Sequence, residues 1–276
     1  MPRRANEVPV TQSGSGRPRL ESSPGRNGNR EIRTPSLSDR ELQDRVISYL
    51  SDANLRVSST EFLDETETEG AQRFSRFLAR RYYRDRLQRG FRYSTLLVST
   101  DHAASQLPDH SYFDEILNHC VLGSLTTARE VGQFAIEHLS ALRSEAWWPQ
   151  ILDYEFAFFL QLATSEPAPP SSALQVCVST VLRSFSFRIP ELLECLRSGN
   201  PLPPEPQGNT TLLFSRTPHG RIYVVEVDPK TEALFLEISR GEDPRNRLFG
   251  DEPALQELRH TLNSLQEIGA IAISAP

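Results

Sequence analysis

Hydrophobic and polar positions are patterned most clearly in the last part of the chain, residues 210–274. Two β-branched and aromatic runs, Thr211-Leu212-Leu213-Phe214-Ser215-Arg216 and Arg221-Ile222-Tyr223-Val224-Val225-Glu226-Val227, flank Thr217-Pro218-His219-Gly220. Pro and Gly between two such runs is hairpin chemistry. Asp228-Pro229 then predicts a helix start, with Asp as the cap and Pro in the first turn. Ala233, Leu234, Phe235, Leu236 and Ile238 give that helix its apolar positions, and Arg240-Gly241 stop it. Pro253 opens a last helix with Leu255, Leu258, Leu262, Leu265 and Ile268 along one face. Gly269 ends it, and Ala270-Ile271-Ala272-Ile273 has the length of a closing strand.

Upstream, residues 1–37 are rich in Pro, Gly, Ser, Asn and Arg and nearly devoid of large apolar side chains. Such a segment cannot bury enough surface to offset its ordering entropy, so a disordered tail is expected. Ser38-Asp39-Arg40-Glu41 reads as a capping box before a short helix carrying Leu42, Val46, Ile47, Tyr49 and Leu50. A polar connection with a turn near Phe62-Leu63 follows. From about Ala71 a helix carries eight Arg and one acid, Asp85, between Arg73 and Arg92. Helical spacing puts Arg73, Arg76, Arg80 and Arg84 on one face and directs Phe74, Leu78 and Tyr82 elsewhere, toward a core. Further helices are predicted over 111–122, 124–142 and 146–164. The last of these is the most apolar stretch, with Pro149 in its first turn and Ser144 or Glu145 as its cap. Residues 165–172 and 200–209 are Pro-rich connections. Between them lie a strand over 174–182 and a short helix from Pro190 to Arg197. The expected architecture is α+β: a tail (1–37), an N-terminal α-helical bundle (38–165) and an α+β domain (173–276).

Composition narrows the function classes. The 276 residues have room for two domains and a tail. No apolar run approaches the roughly 20 residues that cross a bilayer, and the N-terminus lacks the apolar segment of a secretory signal. Cys120, Cys177 and Cys195 are odd in number and widely spaced, which points to reduced core thiols in a cytoplasmic protein. The net charge of −6 gives no global attraction to nucleic acid.

Candidate chemistry is sparse. None of the six histidines, His102, His110, His119, His138, His219 and His260, has a histidine at i+4 or a cysteine at zinc spacing. His119 and Cys120 are adjacent, so on a helix their side chains diverge by roughly 100°. Walker A, G-x-S-x-G and G-x-G-x-x-G motifs are missing from the sequence. No catalytic residue and no metal ligand is assigned. Asp153 and Glu155 flank Tyr154 in the apolar helix, where a buried carboxylate would be perturbed. Pairing with an arginine of the 73–92 helix is the expectation, and a functional carboxylate the alternative.

The order hairpin, helix, helix, short strand is the layout of a small winged-helix module. With "GRIYVVEVDPKTEALFLEISRG" and "LQELRHTLNSLQEIGAI" it resembles the peptide-recognition modules of bacterial peptide-modification pathways. Together with "RFLARRYYRDRL", "ILDYEFAFF" and "VLRSFSFRIPELLECLR", the chain resembles, over residues 71–274, the partner proteins of multinuclear non-haem iron peptide-modifying enzymes. The resemblance implies a non-catalytic subunit that binds a ribosomally made precursor peptide and presents it to the iron enzyme. The iron then resides in that enzyme, and no cofactor in this chain. It further implies a peptide groove between Ile222, Tyr223, Val224, Val225, Glu226 and Val227 on the second hairpin strand and Leu255, Leu258, Arg259 and Leu262 on the last helix. Arg259 and His260 would offer charge to an acidic leader peptide. The face of Arg73, Arg76, Arg80 and Arg84 either covers apolar surface with its stems and pairs with acidic helices nearby, or is a second candidate contact for an acidic partner. A DNA-binding winged-helix regulator is the alternative. From Thr210 onward, however, seven Lys and Arg stand against ten Asp and Glu, the wrong balance for phosphate binding.

Overall fold

A computed structural model describes residues 65–165, 174–202, 208–247 and 252–272. The tail at 1–37, the capped helix following Ser38 and the turn near Phe62-Leu63 lie outside the described residues. The chain is a mixed helix-and-sheet, α+β structure. Among the described residues five helices come first: α1 (Glu65–Gly90), α2 (Arg92–Leu97), α3 (Phe113–Asn118), α4 (Leu125–Ser140) and α5 (Trp148–Ala163). Two 3-10 turns, Thr100–His102 and Ala104–Asp109, join α2 to α3. The second half contains β1 (Gln175–Val176), β2 (Val181–Phe185), α6 (Ile189–Ser198), β3 (Thr210–Arg216), β4 (Ile222–Glu226), α7 (Pro229–Ser239), a 3-10 turn, α8 (Glu252–Glu267) and β5 (Ile271–Ala272).

Local chemistry explains most boundaries. The Ser124 hydroxyl accepts from the Thr127 amide to cap α4, and Asp228 accepts from Lys230 and Thr231 to cap α7. Pro lies in the first turn of α5, α6 and α7. The start of α5 differs from expectation. Trp147 is its N-cap without a side-chain bond, because Glu145 is held by Arg143 at 2.7 Å. Gly269 ends α8 with φ +75°, and a Cβ there would lie 2.5 Å from the Arg216 carbonyl oxygen. Only glycine lets the chain turn so tightly against β3.

The strand expected over 174–182 is broken in two. β1 pairs with β5 (Gln175↔Ala272, Val176↔Ile271), and β2 pairs with β3 (Val181↔Phe214 to Phe185↔Thr210). A turn at 177–180 makes the switch, with the Thr180 amide donating to the Cys177 carbonyl and the Thr180 hydroxyl to that of Ala270. The larger sheet has the order β2-β3-β4, all antiparallel.

This sheet is the middle layer. Alternate side chains leave a strand on opposite faces, so paired residues share a face. Val181, Phe185, Leu212, Phe214 and Val224 pack with α5, α4, α1 and α6 in one large core. Leu182, Leu213 and Val227 pack with Phe235, Ile238, Leu258, Leu262, Leu265, Leu174 and Ile271 in a second. The first core therefore continues across the Pro-rich connection at 165–172.

The face of α1 is rotated from the expected one. Ala79, Tyr83 and Leu87 are the buried stripe, whereas Phe74 is 51% and Phe77 57% exposed, and Tyr82 is half-buried. Side-chain reach accounts for the shift. On one flank, arginines extend to acids of the following segment. On the other, Tyr82 and Arg86 reach the C-terminus of α5.

That C-terminus ties the layers together. The last carbonyls of a helix lack intrahelical partners. Here the Tyr82 hydroxyl donates to Ala163 at 2.9 Å, Arg86 Nε to Leu162 at 3.2 Å, and Arg216 of β3 to Gln161 at 3.3 Å and to Thr164. Arg216→Met keeps most of the aliphatic stem and removes the donors. It is expected to lower stability by about 1–3 kcal/mol, read by urea unfolding, because these bonds involve a charged donor in a half-buried site.

Candidate functional site

The expected peptide groove has two walls, and the structure treats them differently. On β4 the register is Ile222↔Arg216, Tyr223↔Ser215, Val224↔Phe214, Val225↔Leu213 and Glu226↔Leu212. The Thr217 amide donates to the Arg221 carbonyl at 2.9 Å, and the Val227 amide to Thr211 at 3.0 Å. In an antiparallel ladder, hydrogen-bonded pairs alternate with non-bonded ones. The pairs of residues 221, 223, 225 and 227 are then the bonded ones, and their N–H and C=O groups face β3. Those of Ile222, Val224 and Glu226 face away from the sheet. Among the described residues no strand pairs with that edge of β4.

Side chains divide by the same alternation. Val224 packs against the helical core, next to Phe214, whose ring meets Tyr154 with centroids 5.5 Å apart. Val227 packs with the C-terminal cluster. Val225 and Glu226 are exposed at the end of the strand, and Arg221 lies over the Tyr223 ring at 5.0 Å. One face of β4 thus meets the helical core through Val224, the other carries the exposed Val225 and meets the C-terminal cluster only past its end at Val227, and the strand also presents its outer edge.

The α8 wall is largely taken up by the fold. Leu258 and Leu262 are 8% and 3% exposed and belong to the C-terminal core, so their side chains hold the helix on the sheet. Leu255 is half-buried. Arg259 is exposed, 3.3 Å from Glu252, and Lys230 approaches Glu257 at 3.7 Å. These exposed pairs hold little energy and leave the arginine available to a stronger acidic partner.

The basic face of α1 is engaged within the chain. Arg80 pairs with Asp114, Arg84 with Asp109, and Arg76 donates to the Asn118 side chain at 2.9 Å. Arg73 is exposed on the same helix. Positions 76, 80 and 84 serve to fasten the turn segment and α3 to α1.

The two carboxylates of α5 also have partners other than those expected. Asp153 reaches Arg183 of β2 at 3.4 Å, not an arginine of α1. Two residues further along a helix lies the opposite side. Glu155 is fully buried there, and its carboxylate accepts from the backbone amides of Tyr93 and Ser94, the first turn of α2. Burial pushes its carboxyl up to about 8, against the pull of those bonds and of Arg92. Glu155 is the missing N-cap of α2, supplied from another helix.

Three histidines meet without any spacing to announce it. The His138 ring centroid is 6.1 Å from that of His102 and 5.8 Å from that of His110. Their separations along the chain fit no local motif, so only the tertiary fold reveals the cluster. Among the described residues no group of three His, Cys, Asp or Glu is placed to hold a metal ion.

The chain matches no protein-family model and no curated protein. No helix among the described residues is long and apolar enough to cross a membrane.

Proposed function

We propose that this chain is a non-catalytic partner protein that binds a ribosomally made precursor peptide and presents it to an iron-dependent oxidative enzyme. One observation carries the peptide-binding part: the edge of β4, where the amides and carbonyls of Ile222, Val224 and Glu226 face outward with no strand partner among the described residues. An unpaired edge favours addition of an extended peptide, whose backbone supplies affinity while neighbouring side chains set register. Val225, Glu226 and Arg259 are the exposed members of the proposed site. On this reading the last third acts as a winged-helix-like recognition element seated on an N-terminal helical bundle. The enzyme and its iron come from the sequence resemblance and belong to a separate protein.

The test combines three purified components: this chain, an iron-dependent enzyme of that class and its precursor peptide. The chain alone is expected to leave the peptide mass unchanged and to bind it at micromolar concentration or tighter. Adding the chain to the enzyme should accelerate modification at limiting peptide. A mass change produced by the isolated chain, or unaccelerated turnover, would overturn the proposal.

A further inference from the structure

His102, His110 and His138 serve no part of the proposed peptide site. His102 ends the first 3-10 turn, His110 follows the second, and His138 lies in the last turn of α4. The two outer histidines therefore bracket the segment 103–109, with His138 between them at 6.1 and 5.8 Å. Leu107, Pro108 and Ala104 bury the middle of the segment, while His102 and His110 are exposed at its ends. His102 lines an open cleft of about 550 Å3 and His110 one of about 270 Å3, so solvent protons reach both.

We propose that these three histidines form an acid-sensitive latch that loosens segment 100–110 from α4 when more than one ring is protonated. A charge on the half-buried His138 ring and a second about 6 Å away on an exposed ring repel. Burial, with His110 and His102 nearby, holds His138 below its ordinary value, so the folded chain prefers it neutral. Most of the carboxylates around the cluster have partners of their own. Asp109 pairs with Arg84 of α1, Asp114 of α3 with Arg80, and Glu145 with Arg143. On α5, Asp153 pairs with Arg183 and Glu155 caps α2. On α4, Glu130 meets His119 and Glu137 accepts from Gln133. Asp101 lines the cleft beside His110, and Glu115 of α3 is exposed.

The sign follows from linkage. A histidine held neutral in the folded state binds its proton more readily when released, so acid favours release. The experiment is amide exchange on the full chain at pH 7.5 and pH 5, corrected for intrinsic rates. The amides of Ala103, Gln106 and His110, which donate to Thr100, Ala103 and Leu107, should lose about tenfold or more of their protection. Amides in the middle of α5 should keep theirs. His138→Gln should flatten the response. In the double variant His102→Gln/His110→Gln, both at exposed sites, the NMR titration midpoint of His138 should rise. Equal loss of protection in parent and His138→Gln, or an unmoved His138 midpoint in the double variant, would overturn the latch.

Discussion

Glu155→Ala is expected to lower stability by about 2–4 kcal/mol at pH 6, a fall in Tm of roughly 5–12 °C. The residue has no exposed surface, and its carboxylate is the acceptor for the first amides of α2. Alanine leaves those donors in a core with no replacement, which costs more than the bonds themselves contribute. Glu155→Gln behaves differently, since its amide oxygen still accepts and no charge is buried. Its effect depends on pH. In the folded chain the carboxyl is pushed up to about 8, whereas in the unfolded chain it ionises near its ordinary value of about 4.5. Stability from the protonated group is fully present below the lower value and is lost as pH rises toward the upper one. Between pH 5 and 8 the parent should therefore lose stability relative to Glu155→Gln, with a slope of at most about 1.4 kcal/mol per pH unit. Urea unfolding at four pH values reads this directly. Parallel curves for the two proteins would show that Glu155 is ionised throughout.

What the sequence made legible was what neighbouring residues decide. Asp228-Pro229 marked the start of α7, Pro190 the start of α6, and Pro218-Gly220 the turn between β3 and β4, because caps and turns are set within a few residues. What it obscured depended on distant partners. The run 174–182 alternates like one strand, yet it divides because β5 and β3 claim its two ends. The buried stripe of α1 shifted to Ala79, Tyr83 and Leu87 because Asp109, Asp114 and the end of α5 fix where its arginines and Tyr82 must reach. Glu155 looked like an arginine partner and proved to be a helix cap, a role invisible until α2 and α5 are packed. At the candidate site, the hairpin was legible from its residues. The burial of Leu258 and Leu262 was not, because a helix stripe does not say whether it faces its own core or a ligand.

The expectation with the largest effect on binding concerns proline on β4. Proline removes a backbone donor and places a ring where an added strand would lie. At Glu226 the amide points outward and the side chain is exposed, so Glu226→Pro should fold and keep its Tm within a few degrees. Val224→Pro likewise spares the β3 ladder, at the cost of some packing beside Phe214. Val225→Pro is the contrasting variant, because its amide belongs to the bonded pair with Leu213 and its loss should disrupt the sheet. Binding of a fluorescein-labelled precursor peptide, followed by anisotropy, should weaken about tenfold or more for folded Glu226→Pro and Val224→Pro, since one lost hydrogen bond and a steric block together exceed 1.4 kcal/mol. Arg259→Glu should weaken an acidic peptide further in low salt and less in high salt, as expected of an exposed charge. Parent-like affinity in both folded proline variants would remove the peptide from this edge. If charge reversal at Arg76, Arg80 and Arg84 then abolished binding in variants that remain folded, the peptide would lie on the helical layer, and β4 would be left to dock the enzyme.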